Sequence, residues 1–137
     1  MIAYNLEQAR FNMVQQQIRT WEVLDTRVLD LITSVPREEF VPAEYRELAF
    51  ADFEIPIGQG QKMLAPKVEA RILQALDIQP DDVILEIGTG SGYLTACMAR
   101  LGTRVISVDT HAEFSEKAGA ALTSQGRANV ELVTGNG

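Results

Sequence analysis

The stretch Val83-Ile84-Leu85-Glu86-Ile87-Gly88-Thr89-Gly90-Ser91-Gly92-Tyr93 determines the fold that we predict for this chain. The apolar residues around Glu86 predict a buried strand, and Gly88, Gly90 and Gly92 then allow a sharp turn into a helix. The first turn of a helix offers free N–H groups and a partial positive charge. The sequence therefore predicts a site for a nucleotide-type ligand at this turn.

Helices and strands alternate on both sides of the turn. A helix opened by Pro66 precedes the first strand, and a helix over Ser91–Leu101 follows it. Further strands are predicted at Arg104–Val108 and Asn129–Val133, separated by a helix that begins with a capping box at Thr110-His111-Ala112-Glu113. This alternation predicts an α/β fold, with parallel strands and helices on both faces of the sheet.

The first half of the chain is predicted to be mostly helical. Helices are expected over Glu7–Arg19 and about Thr26–Ser34, followed by the proline-bracketed connector Val35–Pro42. They are too few to bury a core of their own. We therefore expect residues 1–65 to form an N-terminal appendage with an active-site loop, packed on an α/β domain over residues 66–137.

Burial can be predicted for several side chains. The helix opened by Pro66 is expected to bury Val68, Ile72, Ala75 and Leu76, which lie on one face. Glu38 and Glu39 are expected to form a solvated face. Residues Ile55–Gln61 show no helical period, so an extended segment ending in a glycine-rich loop is expected there.

Composition excludes several classes of protein. The chain has 137 residues and a formal net charge of −7, which argues against nucleic acid or an anionic membrane as a partner. It contains no apolar run long enough for a transmembrane helix and no secretory signal. The single cysteine, Cys97, excludes an intramolecular disulfide and favours a reducing compartment, the cytoplasm. With one histidine and one cysteine, no zinc site is expected.

The glycine spacing favours one class of ligand over another. The dinucleotide pattern G-x-G-x-x-G would need a glycine at position 93, where Tyr93 stands. The carboxylate of Glu86 would repel a pyrophosphate and attract a cation. S-adenosyl-L-methionine (AdoMet) carries a sulfonium, an amino group and no phosphate, so it fits better than NAD. Two alternatives stay open: a nicotinamide-dependent oxidoreductase, and a turn that serves only strand–helix packing.

Polar residues after the next two strands extend the predicted site. Asp109 ends the second strand, where its carboxylate can accept both ribose hydroxyls, or instead interact with a helix dipole. Asn136 ends the third strand, where its amide could bind adenine or simply complete a turn. The residues predicted to bind the cofactor are Glu86, Gly88, Thr89, Gly90, Ser91, Gly92, Asp109, Thr110, Asn136 and Gly137.

Three segments together resemble a known family. Val35–Pro42, then Ile57-Gly58-Gln59-Gly60-Gln61, then Leu85–Tyr93 are similar in order and spacing to the protein-L-isoaspartate (D-aspartate) O-methyltransferases. The resemblance runs from about Arg10 to Gly137. It implies a Rossmann-like AdoMet methyltransferase fold, and methyl transfer from AdoMet to the free α-carboxylate of an L-isoaspartyl residue in damaged protein.

The loop before the third helix departs from the family pattern. The family loop reads Gly-Gln-Thr-x-Ser-x-Pro, whereas this chain reads Gly60-Gln61-Lys62-Met63-Leu64-Ala65-Pro66. Leu64 replaces the serine whose hydroxyl acts at the acceptor carboxylate, and Lys62 replaces the threonine. Catalytic residues therefore stay unassigned, with Gln61 and Lys62 as loop candidates. Asn136 also replaces an aspartate, and a divergent homologue with another acceptor, or with no catalysis, is the alternative.

The resemblance also implies a longer sheet. Family members continue for several strands, so only the first three core strands are expected here, with an exposed edge on the first. We expect that the remainder has been left out or removed by proteolysis, or that the chain self-associates through this edge. The partner that the resemblance implies is a protein or peptide acceptor bearing a carboxylate.

Overall fold

The computed structural model describes residues 5–135. The chain divides into two units, Met1–Leu76 and Asp77–Gly137, and each is described by itself. This division places the helix that begins at Pro66 in the N-terminal unit, whereas that helix was expected in the α/β domain. No helix within residues 5–135 has the length and apolar character needed to cross a membrane.

The predicted helices of the N-terminal unit are present, and both begin at a side-chain cap. Asn5 accepts a hydrogen bond from the N–H of Gln8, and Asp25 accepts one from the N–H of Arg27. The unit's helical elements are α1 (Leu6–Met13), a π-helical turn (Val14–Ile18), a 3-10 turn (Arg19–Trp21), α2 (Thr26–Ser34), and two further 3-10 segments (Arg37–Phe40 and Ala43–Leu48).

A hairpin follows where an extended segment and a loop were expected. Strand β1 (Ile55–Gly58) pairs antiparallel with β2 (Gln61–Met63), and the second strand was not predicted. Residues 58–60 turn the chain with φ values of 99°, 54° and 69°. Glycine adopts such angles readily, whereas Gln59, between the two glycines, is held in a conformation that L-residues disfavour.

Helix α3 (Pro66–Leu76) turns a different face inward from the one predicted. Glu69, Ala70 and Leu73 are buried, whereas Leu76 is 52% exposed and Val68 is only half-buried. The prediction is wrong because a buried cation, Arg37, attracts Glu69 to the inner side of the helix.

Arg37 is the polar centre of the N-terminal unit and is 1% exposed. Its Nε donates to the carbonyl of Ala49 at 2.7 Å, one terminal nitrogen donates to the carbonyl of Leu64 at 2.8 Å, and the other pairs with Glu69. Burial raises the pKa of Glu69, and the guanidinium opposes that shift. One side chain therefore ties together four separate segments of the chain.

A second buried ion pair corrects the prediction for Glu38. Its two carboxylate oxygens accept from the guanidinium of Arg10 at 2.6 Å, and both side chains are buried. The same guanidinium lies 5.1 Å from the ring centroid of Phe50. The prediction of a solvated face therefore holds only for Glu39, which is exposed.

The C-terminal unit is the predicted α/β arrangement. Its elements are β3 (Val83–Ile87), α4 (Tyr93–Leu101), β4 (Arg104–Asp109), α5 (Ala112–Ser124) and β5 (Val130–Thr134). The strands are parallel in the order β3-β4-β5, with Ile87 opposite Val108 and Asp109 opposite Thr134. The carboxyl ends of all three strands therefore meet at one edge of the sheet.

Both helices of this unit lie on one face of the sheet. Thr95 of α4 hydrogen-bonds Glu86, and Gly119 of α5 lies against Leu132. Glu86, Ser107 and Leu132 are aligned across the three strands and so share that face. Helices on both faces were expected, and within the described residues of this unit they cover only one.

The opposite face is open, and the part of it that β3 contributes is apolar. Val83, Leu85 and Ile87 of β3 are 63%, 64% and 62% exposed. The prediction that β3 is a buried strand is therefore wrong. Within the described part of this unit β3 is also an edge strand, so it presents one unpaired backbone edge beside its exposed apolar face.

Candidate ligand site at the glycine turn

The turn after β3 depends on three glycines. Gly88, Gly90 and Gly92 have φ values of 97°, 54° and 87°, which L-residues rarely adopt. Gly92 is the N-cap of α4, so the last of them starts the helix. A Cβ placed at Gly88 would meet no atom within 4 Å, which leaves open space at the carboxyl end of β3 for a close ligand.

The N–H groups of these glycines are already engaged within the chain. Gly88 donates to the carbonyl of Val108 at 2.6 Å, and Gly92 donates to that of Thr89 at 2.9 Å. Gly90 donates to Oδ2 of Asp109 at 3.0 Å. A phosphate-binding turn points such groups at its ligand. These three donors are directed inward, so the turn does not offer them to a pyrophosphate.

Asp109 is fixed at the carboxyl end of β4. Oδ2 accepts from Gly90, Oδ1 accepts from the N–H of His111 at 2.9 Å, and the residue is 8% exposed. Burial acts to raise the pKa of Asp109, but hydrogen bonds from the Gly90 and His111 N–H groups and from the imidazole of His111 outweigh it and lower that pKa. The site therefore holds an ionised carboxylate beside the glycine turn.

The predicted capping box at Thr110–Glu113 is wrong. The N-cap of α5 is His111, and no side chain caps the helix there. The helix begins one residue later than predicted because the side chain of Asp109 accepts the N–H of His111 and forms a turn before the helix. Thr110 Oγ1 instead lies 3.4 Å from Nδ1 of His111.

Glu86 belongs to a chain of buried hydroxyl groups. Its Oε1 accepts from Thr95 Oγ1 of α4 and from Ser107 Oγ of β4, the latter at 2.6 Å. Ser107 Oγ in turn lies 2.7 Å from Oγ1 of Thr89 in the glycine turn. Neither Thr95 nor Ser107 was predicted as a site residue. A serine within the otherwise apolar strand Arg104–Asp109 could have indicated a buried hydrogen-bond partner for Glu86.

The remaining candidate residues are placed as follows. Ser91 Oγ accepts from the N–H of Tyr93 at 3.2 Å. Asn136 and Gly137 lie outside the described residues. The loop candidates belong to the N-terminal unit, where Gln61 and Lys62 are exposed on β2 and Leu64 is half-buried.

A parallel sheet with a glycine turn after one strand and a carboxylate after the next is the first half of a Rossmann-like AdoMet methyltransferase fold. A solved structure of a protein-L-isoaspartate O-methyltransferase superposes on this chain with a TM-score of 0.73 at 24% identity, covering 97% of this chain and 43% of that one. This likeness establishes the fold.

The sequence comparison establishes the family. Residues 8–137 match the family Protein-L-isoaspartate(D-aspartate) O-methyltransferase (PCMT), and the chain belongs to it. A protein-L-isoaspartate O-methyltransferase of Koribacter versatilis (strain Ellin345) is 39% identical over 137 residues, covering all of this chain and 61% of the relative. One of Aeropyrum pernix is 45% identical over 134 residues, covering 95% of this chain and 52% of the relative. The predicted family is thus confirmed, and the chain spans only part of these relatives' length.

Proposed function

We propose that the glycine turn and Asp109 bind S-adenosyl-L-methionine. The observation that carries this proposal is that Gly88, Gly90 and Gly92 direct their N–H groups into the protein while the Asp109 carboxylate stands beside them. Such a site suits a ligand with hydroxyl groups to donate and no phosphate to bind. A nicotinamide dinucleotide, the less favoured alternative, would present a pyrophosphate to a turn whose glycine donors are already engaged.

Each part of the site has a role in this proposal. Asp109 accepts hydrogen bonds from the ribose hydroxyls, and the open space at Gly88 allows the ligand to approach the backbone. Ser91 and Thr110 are proposed as further contacts of the ligand, and Asn136, which lies outside the described residues, is proposed to bind the adenine. When bound, AdoMet supplies a sulfonium methyl group that a carboxylate oxygen can accept without a general base.

The proposed activity of the whole protein is methylation of a carboxylate in a protein or peptide that carries an isoaspartyl residue, as the names of the relatives indicate. The protein's task is to align the acceptor with the methyl group and to exclude water. Gln61 and Lys62, which are exposed on β2, are the proposed contacts for an anionic acceptor.

Binding of the cofactor can be tested without turnover. Isothermal titration of the 137-residue chain with AdoMet should give saturable binding, and AdoMet should raise the melting temperature while NAD leaves it unchanged. A folded sample that does not bind AdoMet would refute the proposal. Transfer of labelled methyl from AdoMet to an isoaspartyl peptide, with the aspartyl peptide as control, tests the activity.

A second candidate function is AdoMet binding with a different acceptor or without catalysis. The observation that favours it is Leu64, which has no hydroxyl at the family's serine position and whose carbonyl is held by Arg37. If loss of the hydroxyl is what limits transfer, Leu64→Ser should increase methylation of the isoaspartyl peptide while the affinity for AdoMet stays the same. Transfer by the wild-type chain to the isoaspartyl peptide above background, and equal to that of Leu64→Ser, would count against this candidate.

The proposed setting follows from the same features. We propose a cytoplasmic protein that acts on polypeptides, without nucleic acid or membrane partners, because its net charge is −7 and its single cysteine, Cys97, has no second cysteine in the sequence with which to form a disulfide. The open edge of β3 is the proposed surface for self-association.

A further inference from the structure

The acidic residue before the glycine turn is connected to that turn through side-chain hydroxyls. Ser107 donates to Glu86 at 2.6 Å and lies 2.7 Å from the hydroxyl of Thr89. Thr89, Ser107 and Thr95 are each no more than 4% exposed. Buried hydroxyls retain their partners because leaving one unsatisfied costs about 1–3 kcal/mol. The chain of contacts is therefore a fixed part of the fold.

The direction of these hydrogen bonds can be assigned. A serine hydroxyl has one proton, and Ser107 gives it to Oε1 of Glu86. The hydroxyl of Thr89 must then be the donor in its contact with Ser107. Thr95 donates to the same carboxylate oxygen. Oε1 of Glu86 thus accepts at the end of the chain and orients every hydroxyl in it.

We propose that Thr89 and Ser107 are positioning residues of the cofactor site, and that Glu86 acts on the ligand through them. The three side chains clamp the middle of the glycine turn to β3 and β4, so that Gly90 keeps its hydrogen bond to Asp109. The inference rests on AdoMet as the proposed ligand. It differs from the earlier interpretation of Glu86, in which the carboxylate attracts the sulfonium directly.

Two variants of Thr89 separate the hydroxyl from the shape of the side chain. Thr89→Val removes the hydroxyl at nearly constant volume, and Thr89→Ser keeps it. Thr103→Val is the matched control, because Thr103 donates to the carbonyl of Pro80 at the other end of the sheet. All are compared by isothermal titration with AdoMet at a temperature where circular dichroism shows each variant to be fully folded.

We expect Thr89→Val to weaken AdoMet binding about tenfold, the effect of losing one or two hydrogen bonds that hold the site. Thr89→Ser should stay within about twofold of wild type, and Thr103→Val should not change the affinity. Equal affinity for Thr89→Val and wild type would overturn the proposal, since a merely structural hydroxyl would lower the melting temperature alone.

Amide hydrogen exchange on the ligand-free protein decides the matter independently of AdoMet. The clamp predicts faster exchange at Gly90 and Gly92 in Thr89→Val, with exchange in β5 unchanged. Unaltered exchange at these amides would contradict the proposed clamp, whether or not the wild-type chain binds AdoMet. Absence of AdoMet binding would by itself refute only the proposed function. A double-mutant cycle that combines Glu86→Gln with Thr89→Val adds a further criterion. If the two effects on AdoMet affinity are additive, Glu86 does not act on the ligand through Thr89.

Discussion

The N–H of Gly90 donates to Oδ2 of Asp109 at 3.0 Å, and this hydrogen bond joins the ends of two neighbouring strands into one site. A carboxylate offers about four acceptor positions. Gly90 and the main chain of His111 occupy two of them, one on each oxygen, and the imidazole of His111, 3.2 Å from Oδ1, occupies a third. The bond from Gly90 therefore orients the carboxylate and still leaves it an acceptor position for a ligand hydroxyl.

Asp109→Asn should weaken binding of AdoMet by about 10–100-fold, because an amide replaces one acceptor oxygen with a donor and removes the charge that strengthens each bond. Isothermal titration measures the change. Asp82→Asn is the control, since Asp82 caps an exposed turn of the same unit through the N–H of Gln79. Wild-type affinity in Asp109→Asn would show that this carboxylate does not contact the ligand.

Asp109 should also make stability depend on pH. Its folded-state pKa is lowered from the ordinary value of 3.8, so the ionised form contributes stability that is fully present above that value. The contribution is lost as pH falls through the lowered folded-state pKa. Urea unfolding followed by circular dichroism should therefore show wild type more stable than Asp109→Asn by about 1–3 kcal/mol at pH 7. The difference should shrink below pH 3.8, and a difference independent of pH would contradict the assignment.

Arg37→Met should lower the free energy of unfolding of the N-terminal unit by about 3–5 kcal/mol, because it leaves Glu69 buried without its cation. The double variant Arg37→Met/Glu69→Leu should recover much of that loss. Trp21 is the only tryptophan and lies in this unit, so its fluorescence reports the transition.

The control for Arg37 is Arg104→Met, whose ion pair with Glu131 is 52% exposed on both sides. An exposed pair of this kind contributes about 1 kcal/mol or less. If Arg37→Met destabilised the protein no more than Arg104→Met does, the buried pair would not be the polar centre that the contacts indicate.

The sequence was sufficient for features that depend on neighbouring residues. The first strand, the glycine turn after it and the position of Asp109 at the end of the next strand could be predicted, because they follow from local sequence patterns and from the rule that parallel strands end at one edge of a sheet. The hydrogen-bond partners of Glu86 could not be predicted, because Ser107 becomes its neighbour only through the register of two strands. The prediction of the inward face of α3 was wrong for a similar reason. The burial of Glu69 on that face depends on its ion pair with Arg37, which is 32 residues away in sequence.

The open apolar face of β3 predicts that the 137-residue chain self-associates. Val83, Leu85 and Ile87 are all more than 60% exposed on an edge strand, and such a surface favours pairing with another copy. Light scattering after size exclusion should show dimers or larger species, and Leu85→Lys should shift the chain towards monomer by placing a charge on that face. Leu76→Lys is the matched control, since Leu76 is 52% exposed but belongs to α3. A monodisperse wild-type monomer at every concentration would refute the prediction, and an equal effect of the two lysine variants would place the contact elsewhere.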